Sequence, residues 1–358
     1  KRQGMYFSMT TAKIALDPFP TVPLVGAPTP IQRMDRLAAA LQGRLQGVQL
    51  YVKRDDFMPL GGGGNKLRKL EFLLGDALAN GADTVITVGG LQSNHARLTA
   101  AAAAVTGLAC ELVLSRAVPR DDAEYEHNGN MLLDPLFGAR VTIAPAGTDS
   151  LAAAQARAEV LRAQGRRVVV LPTGGSTPLG SLGYVSCAQE IVNQERELGV
   201  EFSTVAVANG SGGTQAGLVA GLHAAGRDPG MVQGYGVLAT EGQTIATTHA
   251  LAAGACELLG LAPPAVSAIR VNGSHRGEHY GAATSGMLDA VTTVARSEGW
   301  LLDPVYSGKA FAGLLADIEQ GKYAPGSKVL FVMTGGQPGL FAYRSAFESA
   351  RAAGADNG

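Results

Sequence analysis

The fold class of this sequence is indicated by the stretch TVAVANGSGGTQAGLVAGLHAA at residues 204–225. Its first five residues predict a short buried strand, and its alanine-rich end predicts a helix. The small residues between them mark the strand-to-helix turn typical of α/β proteins. Such a turn leaves backbone amides free at a helix N-terminus, where an anion binds well. We therefore expect a cup for one phosphate group, made of Gly210, Ser211, Gly212, Gly213 and Thr214.

The same turn does not fit two common nucleotide-binding motifs. A P-loop, GxxxxGK[ST], would need a lysine that is absent here. In the dinucleotide fingerprint GxGxxG, Gly210 and Gly212 fit, but Gln215 takes the place of the third glycine. A monophosphate therefore suits the turn better than a pyrophosphate. Because Glu241 follows the next predicted strand, a nicotinamide dinucleotide-dependent oxidoreductase remains an alternative, as does a glycine-rich turn without a ligand.

The strand-turn-helix pattern repeats along the chain, which predicts an α/β protein with open, mostly parallel sheets flanked by helices. Short apolar runs predict strands at residues 50–53, 84–88, 111–114, 140–143, 167–171, 204–208, 232–237 and 328–332. Helical patterns occur at residues 67–80, 96–106, 151–163, 215–225 and 283–298. The 48 glycines fall between such segments, so we interpret them as turns and not as disorder.

Composition argues against several classes of protein. With 358 residues, a net charge of −1 and 16% charged residues, the chain has no basic field for nucleic acid. No stretch of about 20 apolar residues predicts a membrane span. Cys110, Cys187 and Cys256 are far apart and not in a CxxC arrangement, which favours reduced thiols. We expect a cytoplasmic protein, and we expect the residues before Met9 to lie outside the fold.

A lysine follows four consecutive glycines at residues 61–64. Leu67 and Leu70 begin a helical spacing of apolar residues, which predicts a helix that starts near Asn65, a good N-cap. Lys66 would then lie at a helix N-terminus, where the helix dipole favours the neutral, nucleophilic amine. The alternative is a flexible loop before a surface helix. This segment alone does not decide between the two.

A second polar loop, QSNH at residues 92–95, follows the predicted strand at residues 84–88. Open α/β sheets bind ligands at this end of a strand, so Ser93 and Asn94 could grip a carboxylate. Alternatively, Ser93 or Asn94 only caps the helix, and His95 is solvated. His95 has no second histidine or carboxylate at metal-ligand spacing, and we expect no metal site.

Five ordered motifs resemble the family of D-cysteine desulfhydrase and 1-aminocyclopropane-1-carboxylate (ACC) deaminase. They are GGNKLRKLE at residues 63–71, QSNH at 92–95, GSGGTQAG at 210–217, LLDPVYSGKA at 301–310 and TGGQPGLFAY at 334–343. The resemblance extends from about residue 19 to about residue 347 and is weakest over residues 240–280. It implies a pyridoxal phosphate enzyme with the tryptophan-synthase-β-like fold, in which two open twisted sheets are flanked by helices.

The resemblance also implies a domain organisation and an assembly. Residues 10–66 and 176–358 would form a larger cofactor-binding domain, and residues 67–175 a smaller domain. The cofactor would lie in the cleft between them. The protein would be a homodimer that acts on a small amino-acid substrate.

For the cofactor site, the resemblance implies that Lys66 forms the Schiff base with pyridoxal phosphate and acts as the general base. Lys69 and the five-residue cup would contact the phosphate. Asn94 would face the ring hydroxyl, and Thr334 would lie near the pyridine nitrogen. Without the family, Thr334 is simply a hydroxyl at a strand end.

For the substrate site, the resemblance places Ser93, Asn94 and His95 near the substrate carboxylate. It makes Ser93, Tyr280 and Tyr306 catalytic candidates. Tyr280 falls in the weakly matching stretch. Without the family, Tyr306 is an aromatic residue of a kind that is more often structural.

Two positions indicate which reaction is expected. The ring-opening deaminases have Glu at the position of Ser307 and Leu at that of Thr334, whereas this chain has the pairing of the desulfhydrases. A hydroxyl in place of a carboxylate beside the pyridine nitrogen should make the ring a weaker electron sink. This suits the loss of a good β-leaving group. We therefore expect α,β-elimination, with D-cysteine as the first candidate substrate, to give pyruvate, ammonia and hydrogen sulfide.

The leaving group remains open at the level of sequence. The chain also resembles L-cysteate sulfo-lyases, which release sulfite, in residues 210–221 and in the HNGN at residues 127–130. A sulfonate would need additional donors, which Arg270, Arg276 and His279 could supply. ACC deamination is the less favoured alternative.

Overall fold

The computed structural model describes residues 14–145 and 147–355, and the expectation for the residues before Met9 lies outside them. Ten strands occur in these residues: β1 Ile31–Arg33, β2 Gln49–Lys53, β3 Thr84–Gly90, β4 Ala109–Ser115, β5 Arg140–Ile143, β6 Val168–Leu171, β7 Thr204–Asn209, β8 Val232–Gly236, β9 Arg270–Asn272 and β10 Lys328–Val332.

Twelve α-helices occur in the same part of the chain: α1 Asp35–Leu41, α2 Lys66–Ala79, α3 Asn94–Thr106, α4 Ala123–His127, α5 Asn130–Leu136, α6 Ser150–Ala163, α7 Pro178–Leu198, α8 Gly213–Ala224, α9 Glu241–Leu258, α10 Ser285–Glu298, α11 Ser307–Glu319 and α12 Arg344–Ala355. Short 3₁₀ turns lie at Gln42–Leu45, Asp55–Phe57, Leu60–Gly62, Thr173–Gly175, Pro229–Met231, Val266–Ala268 and Gln337–Tyr343.

The strands form two sheets. The larger has the order β1-β2-β10-β7-β8-β9, in which β1 is antiparallel to β2 and the other neighbours are parallel. The smaller has the order β5-β4-β3-β6 and is entirely parallel. The predicted α/β class with mostly parallel sheets is confirmed. Within the described residues, no helix has both the length and the apolar composition to cross a membrane.

All eight predicted strands and five predicted helices are present, with ends that shift by at most two residues. The sequence pattern did not reveal β1 and β9, because strands of three residues are too short to show a period. It also missed α7, in which Gly180 and Gly183 lower the helix propensity. A Cβ atom on Gly183 would lie 2.1 Å from the carbonyl oxygen of Arg68. The glycine therefore allows α7 to pack closely against α2.

The position of α2 is fixed by a buried network of charges. Arg68 is only 2% exposed and donates hydrogen bonds to both carboxylate oxygens of Asp55 at 2.9 and 3.0 Å. It also donates to both oxygens of Glu190 at 2.8 and 2.9 Å. Lys53 donates to Glu190 at 2.7 Å, and the hydroxyl of Tyr184 donates to Asp55 at 2.5 Å. The network connects α2 to the end of β2 and to α7.

Asp55 is the carboxylate at the centre of this network. Burial by itself raises the pKa of Asp55, but Arg68 and Lys53 outweigh burial and hold the pKa below its ordinary value. Its stabilising effect is therefore present at neutral pH and is lost as the pH falls through the folded-state pKa.

Asp55→Ala should destabilise the fold strongly, because it leaves Arg68 buried with one carboxylate partner fewer. We expect the free energy of unfolding to fall by about 3–5 kcal/mol in chemical denaturation. Asp83→Ala is the control, since Asp83 pairs with Arg166 at the surface and its loss should matter far less. Equal losses in the two variants would contradict the role of the network.

Candidate active site

A cavity of about 340 Å³ lies at the carboxyl ends of strands from both sheets. Its lining includes residues that follow β3 and β6 of the smaller sheet and β7 and β10 of the larger sheet. This is the place where open α/β sheets bind ligands. Twelve of the thirteen predicted site residues line it: Lys66, Lys69, Ser93, Asn94, His95, Gly210, Ser211, Gly212, Thr214, Tyr280, Tyr306 and Thr334. The other, Gly213, borders this cavity through Lys69 and Ser176.

Lys66 is the first residue of α2, as the sequence predicted, and its amine is in a desolvated position. Burial lowers the pKa of Lys66 to about 8, and the carboxylate of Asp303 opposes this decrease. The pKa of Lys66 is therefore lowered, as the sequence predicted, but burial and not the helix terminus is the main cause. Asn65 is the N-cap residue, as predicted, but its side chain makes no capping hydrogen bond and instead donates to the hydroxyl of Thr214 at 2.9 Å.

Lys69 lies one helical turn further along and faces the glycine-rich turn. Its amine donates to the hydroxyl of Ser176 at 3.0 Å and to the carbonyl of Gly174 at 3.2 Å. The hydroxyl of Ser176 also lies 2.7 Å from that of Ser211 and accepts from the amide of Gly213 at 3.3 Å. Ser176 therefore belongs to the predicted cup, although sequence reasoning missed it, because the segment after β6 meets the cup only in the folded chain.

The glycines of the cup are required by close contacts. A Cβ atom on Gly213 would lie 2.8 Å from both the amine of Lys69 and the hydroxyl of Ser176. One on Gly210 would lie 3.0 Å from the ring of Tyr306. Gly212 has a φ of +89°, which side chains other than glycine rarely adopt.

His95 is buried, so the alternative of a solvated histidine is wrong. The hydroxyl of Thr87 donates to the carbonyl of Leu171 at 3.1 Å, and it therefore accepts from Nε2–H of His95 at 2.9 Å. This tautomer leaves Nδ1 as a lone-pair acceptor, and Nδ1 has no partner among the described residues. Burial, Lys66 and Lys69 all lower the pKa of His95 well below its ordinary value. The imidazole is thus neutral.

Three basic side chains, Lys66, Lys69 and His95, line the cavity together. Burial and the neighbouring amine of Lys66 lower the pKa of Lys69 well below its ordinary value. Within the described residues, neither Lys66 nor Lys69 forms an ion pair. A dianionic group bound against these amines would restore charge balance. The arrangement therefore fits the expected phosphate monoester.

Two tyrosines form a further part of the lining. The hydroxyls of Tyr280 and Tyr306 lie 2.5 Å apart. Burial is the main cause that raises the pKa of each phenol above its ordinary value, so both keep their protons at neutral pH. One proton makes the bond between them. The second hydroxyl hydrogen is left to donate to a ligand.

Asp303 is a buried carboxylate that sequence reasoning missed. It accepts from the amides of Val305, Tyr306 and Ser307 at 3.0, 2.9 and 2.6 Å. The hydroxyl of Ser307 donates to it at 2.6 Å. Ser307 itself does not line the cavity, and its hydroxyl is engaged by Asp303. Thr334, the other residue of the pair, does line it.

Ser93, Glu241 and Gln215 each make a hydrogen bond within the protein. The hydroxyl of Ser93 accepts from the amide of Ala96 at 3.1 Å, so Ser93 caps α3 as well as lining the cavity. Glu241 does not line the cavity, and its carboxylate accepts from the amide of Gly273. Gln215 donates to the carbonyl of Arg270 at 2.8 Å inside the protein. In the described parts of the chain, no group of three or more His, Cys, Asp or Glu residues could hold a metal ion.

Comparison with known proteins identifies the family. A family model described as "Pyridoxal-phosphate dependent enzyme" matches residues 22–335. The chain belongs to this family. It is 44% identical over 328 residues to a D-cysteine desulfhydrase from Salmonella typhi, and the match covers 91% of this chain and 96% of the relative. The predicted resemblance and cofactor are therefore confirmed.

Solved structures agree with this assignment. A crystal structure of an ACC deaminase homologue matches with a TM-score of 0.82 and 38% identity, covering 93% of this pyridoxal phosphate enzyme and 97% of the other chain. A hydrogen sulfide-producing enzyme from Fusobacterium nucleatum matches with a TM-score of 0.58 and 16% identity, covering 88% and 97% of the two chains. At that identity the second match shows a shared fold alone.

The lowered pKa of Lys66 predicts how the apoprotein reacts with pyridoxal phosphate. Since only the neutral amine is nucleophilic, the extent of attachment after a short exposure should rise with pH around a midpoint near 8. Borohydride reduction followed by peptide mass spectrometry would quantify the modified Lys66. Lys66→Arg is the control and should show no modification at this position. A midpoint near the ordinary lysine value of 10.5 would contradict the effect of burial.

Proposed function

We propose that this enzyme catalyses α,β-elimination from a small β-substituted amino acid, with D-cysteine as its preferred substrate. The products are pyruvate, ammonia and hydrogen sulfide, with one water consumed. One observation carries the proposal: a desolvated lysine amine without an ion-pair partner among the described residues shares a cavity with a phosphate cup and a pair of tyrosine hydroxyls. The similarity to D-cysteine desulfhydrase over 91% of the chain supports the choice of substrate.

Lys66 is the proposed site of covalent attachment and the general base. When bound, pyridoxal phosphate supplies an electron sink for the charge that remains when the Cα proton is removed. With a pKa of about 8, the amine of Lys66 has a sizeable neutral fraction near neutral pH and can take up that proton. The negative charge of the Asp303 carboxylate stabilises the amine of Lys66 once it has taken up the proton.

The cup anchors the phosphate in this proposal. Lys69 supplies an amine that a bound phosphate would keep protonated, Ser176 and Ser211 supply hydroxyls, and the turn at the start of α8 supplies backbone amides. A phosphate held at these contacts would keep the cofactor beside Lys66 during turnover. Thr334 at the end of β10 and Asn94 at the start of α3 are the proposed contacts for the ring.

The tyrosine pair is the proposed partner of the leaving group. A thiolate that departs from the β-carbon gains from a nearby hydrogen-bond donor. Tyr280 and Tyr306 share one hydrogen bond between them and retain one O–H for this purpose. Ser93 and the free amides at the start of α3 are the proposed contacts of the substrate carboxylate.

Sulfide is a better match to the cavity than sulfite as the leaving group. A sulfonate substrate would carry a second strong anion that needs its own donors. Arg270, Arg276 and His279, which could have supplied them, do not line the cavity, and Arg270 is exposed. Thr334 in place of leucine is the remaining feature of the lining that favours elimination over ring opening.

We also propose a domain division, an assembly and a location. The strands of the smaller sheet all fall within residues 67–175, which supports the smaller domain, with residues 10–66 and 176–358 as the larger. Leu132 and Leu136 are exposed one turn apart on α5, which supports a homodimer. The cysteines are free and buried, which supports a reducing, cytoplasmic location.

Lys66→Ala should abolish both turnover and the visible absorbance of the lysine-bound cofactor, because no other nucleophile occupies its place. Pyruvate release and an absorbance spectrum would measure the two effects. Lys322→Ala is the control, since that amine pairs with Asp317 away from the cavity. Retention of either property in the Lys66 variant would refute the central assignment.

A panel of substrates would test the leaving group. The value of kcat/KM should be highest for D-cysteine, lower for L-cysteine, and lowest for L-cysteate and 1-aminocyclopropane-1-carboxylate. Release of pyruvate reports on the first three, and release of ammonia reports on all four. Faster turnover of L-cysteate than of D-cysteine would show that sulfite is the natural leaving group.

A further inference from the structure

The HNGN segment at residues 127–130 lies directly behind one wall of the cavity. Asn130 begins α5, is fully buried and does not itself line the cavity. Its backbone amide donates to the side-chain oxygen of Gln92 at 2.9 Å. The side-chain amide of Gln92 donates in turn to the carbonyls of Tyr125 at 2.6 Å and Asn128 at 2.9 Å. The segment and the QSNH loop are therefore locked together.

Hydrogen-bond chemistry fixes which way the amide of Asn130 points. Its Nδ2 donates to the backbone carbonyl of Gln92 at 3.0 Å, and a carbonyl can only accept. The second hydrogen of the same Nδ2 goes to the side chain of Asn94 at 2.9 Å. The atom of Asn94 that receives it must be the oxygen, Oδ1. The backbone carbonyl of Gln92 thus sets the orientation of Asn130, and Asn130 sets that of Asn94.

The amide nitrogen of Asn94 is consequently turned away from Asn130. It lies near Gly336, where a Cβ atom would be 2.5 Å from Nδ2. Gly336, with a φ of +99°, has no Cβ and leaves this space open. Because Oδ1 of Asn94 accepts from Asn130, the N–H groups of Nδ2 are the polar groups that this side chain has left to offer a ligand in the cavity that Asn94 lines.

We propose that Asn130 is a positioning residue that fixes the side-chain amide of Asn94 with its N–H donors toward the cofactor ring. Donors at this place stabilise an ionised ring oxygen, whereas an acceptor would repel it. The inference rests on the proposed function, because it takes the cofactor to lie against Asn94. It assigns the HNGN segment a task that the cavity lining alone does not reveal.

Asn130→Asp tests the inference by replacing the donor with an acceptor. Asn94 should then turn its nitrogen toward position 130 and its oxygen toward the ring. We expect the dissociation constant of pyridoxal phosphate from the apoprotein to rise by about tenfold to a hundredfold. The visible band of the bound cofactor should also weaken in favour of the shorter-wavelength band of the protonated ring oxygen. Equilibrium dialysis and absorbance spectra measure the two effects.

Asn128→Asp is the matched control in the same segment. The side-chain oxygen of Asn128 accepts from the amide of Gly129 at 2.8 Å, and an aspartate preserves this contact. Its affinity and spectrum should equal those of the wild type. If Asn130→Asp does not fold, as judged by circular dichroism, Asn130→Ala replaces it, with a smaller loss of affinity in the same direction.

A double-mutant cycle separates positioning from a general structural effect. In an Asn94→Ala background, Asn130→Asp should change neither affinity nor spectrum further, because it acts through Asn94. A full additional loss would overturn the inference, as would wild-type affinity and spectrum in the folded Asn130 variants. Failure of the wild-type apoprotein to bind pyridoxal phosphate would instead overturn the proposed function.

Discussion

The site depends on the buried ion pairs of Arg68. Lys66 and Lys69 flank this residue on α2, and Arg68 is held by Asp55 beyond the end of β2 and by Glu190 on α7. If α2 rotated or slid, it would separate charges that are buried in the protein, and unpaired buried charges are strongly destabilising. The helix is therefore held in one orientation. That orientation aims the two neighbouring amines at the cavity.

The same helix shows how partners decide the role of a basic residue. Arg68 has carboxylates within hydrogen-bond distance, so it remains charged and serves the fold. Lys66 and Lys69 also lie in desolvated surroundings but form no such pair among the described residues, and burial lowers the pKa of each. Each amine therefore gives up its proton more readily than an ordinary lysine, which suits Lys66 to covalent bonding and proton transfer. All three side chains are basic and lie within one turn of α2, but their tertiary surroundings differ.

This dependence explains what the sequence could and could not predict. Strands and site loops were predictable because each strand of a parallel sheet is a short apolar run that ends in small or polar residues. The cup at the start of α8 is local, and so it could be read directly. Ser176 and Asp303 were missed, because each acts on groups that are distant in sequence. The helix terminus at Lys66 predicted the right direction of the pKa shift, but burial, its main cause, is a tertiary property.

Ser307 shows how a position outside the cavity can still affect the reaction. Its hydroxyl donates to Asp303, and this bond lowers the pKa of a carboxyl that burial raises. The charge of Asp303 in turn raises the pKa of Lys66. A glutamate at this position would remove the donor and bring a second carboxylate toward Asp303, which favours a shared proton between them. The difference between Ser and Glu at this position can therefore reach Lys66 through Asp303, without any contact between residue 307 and the ligand.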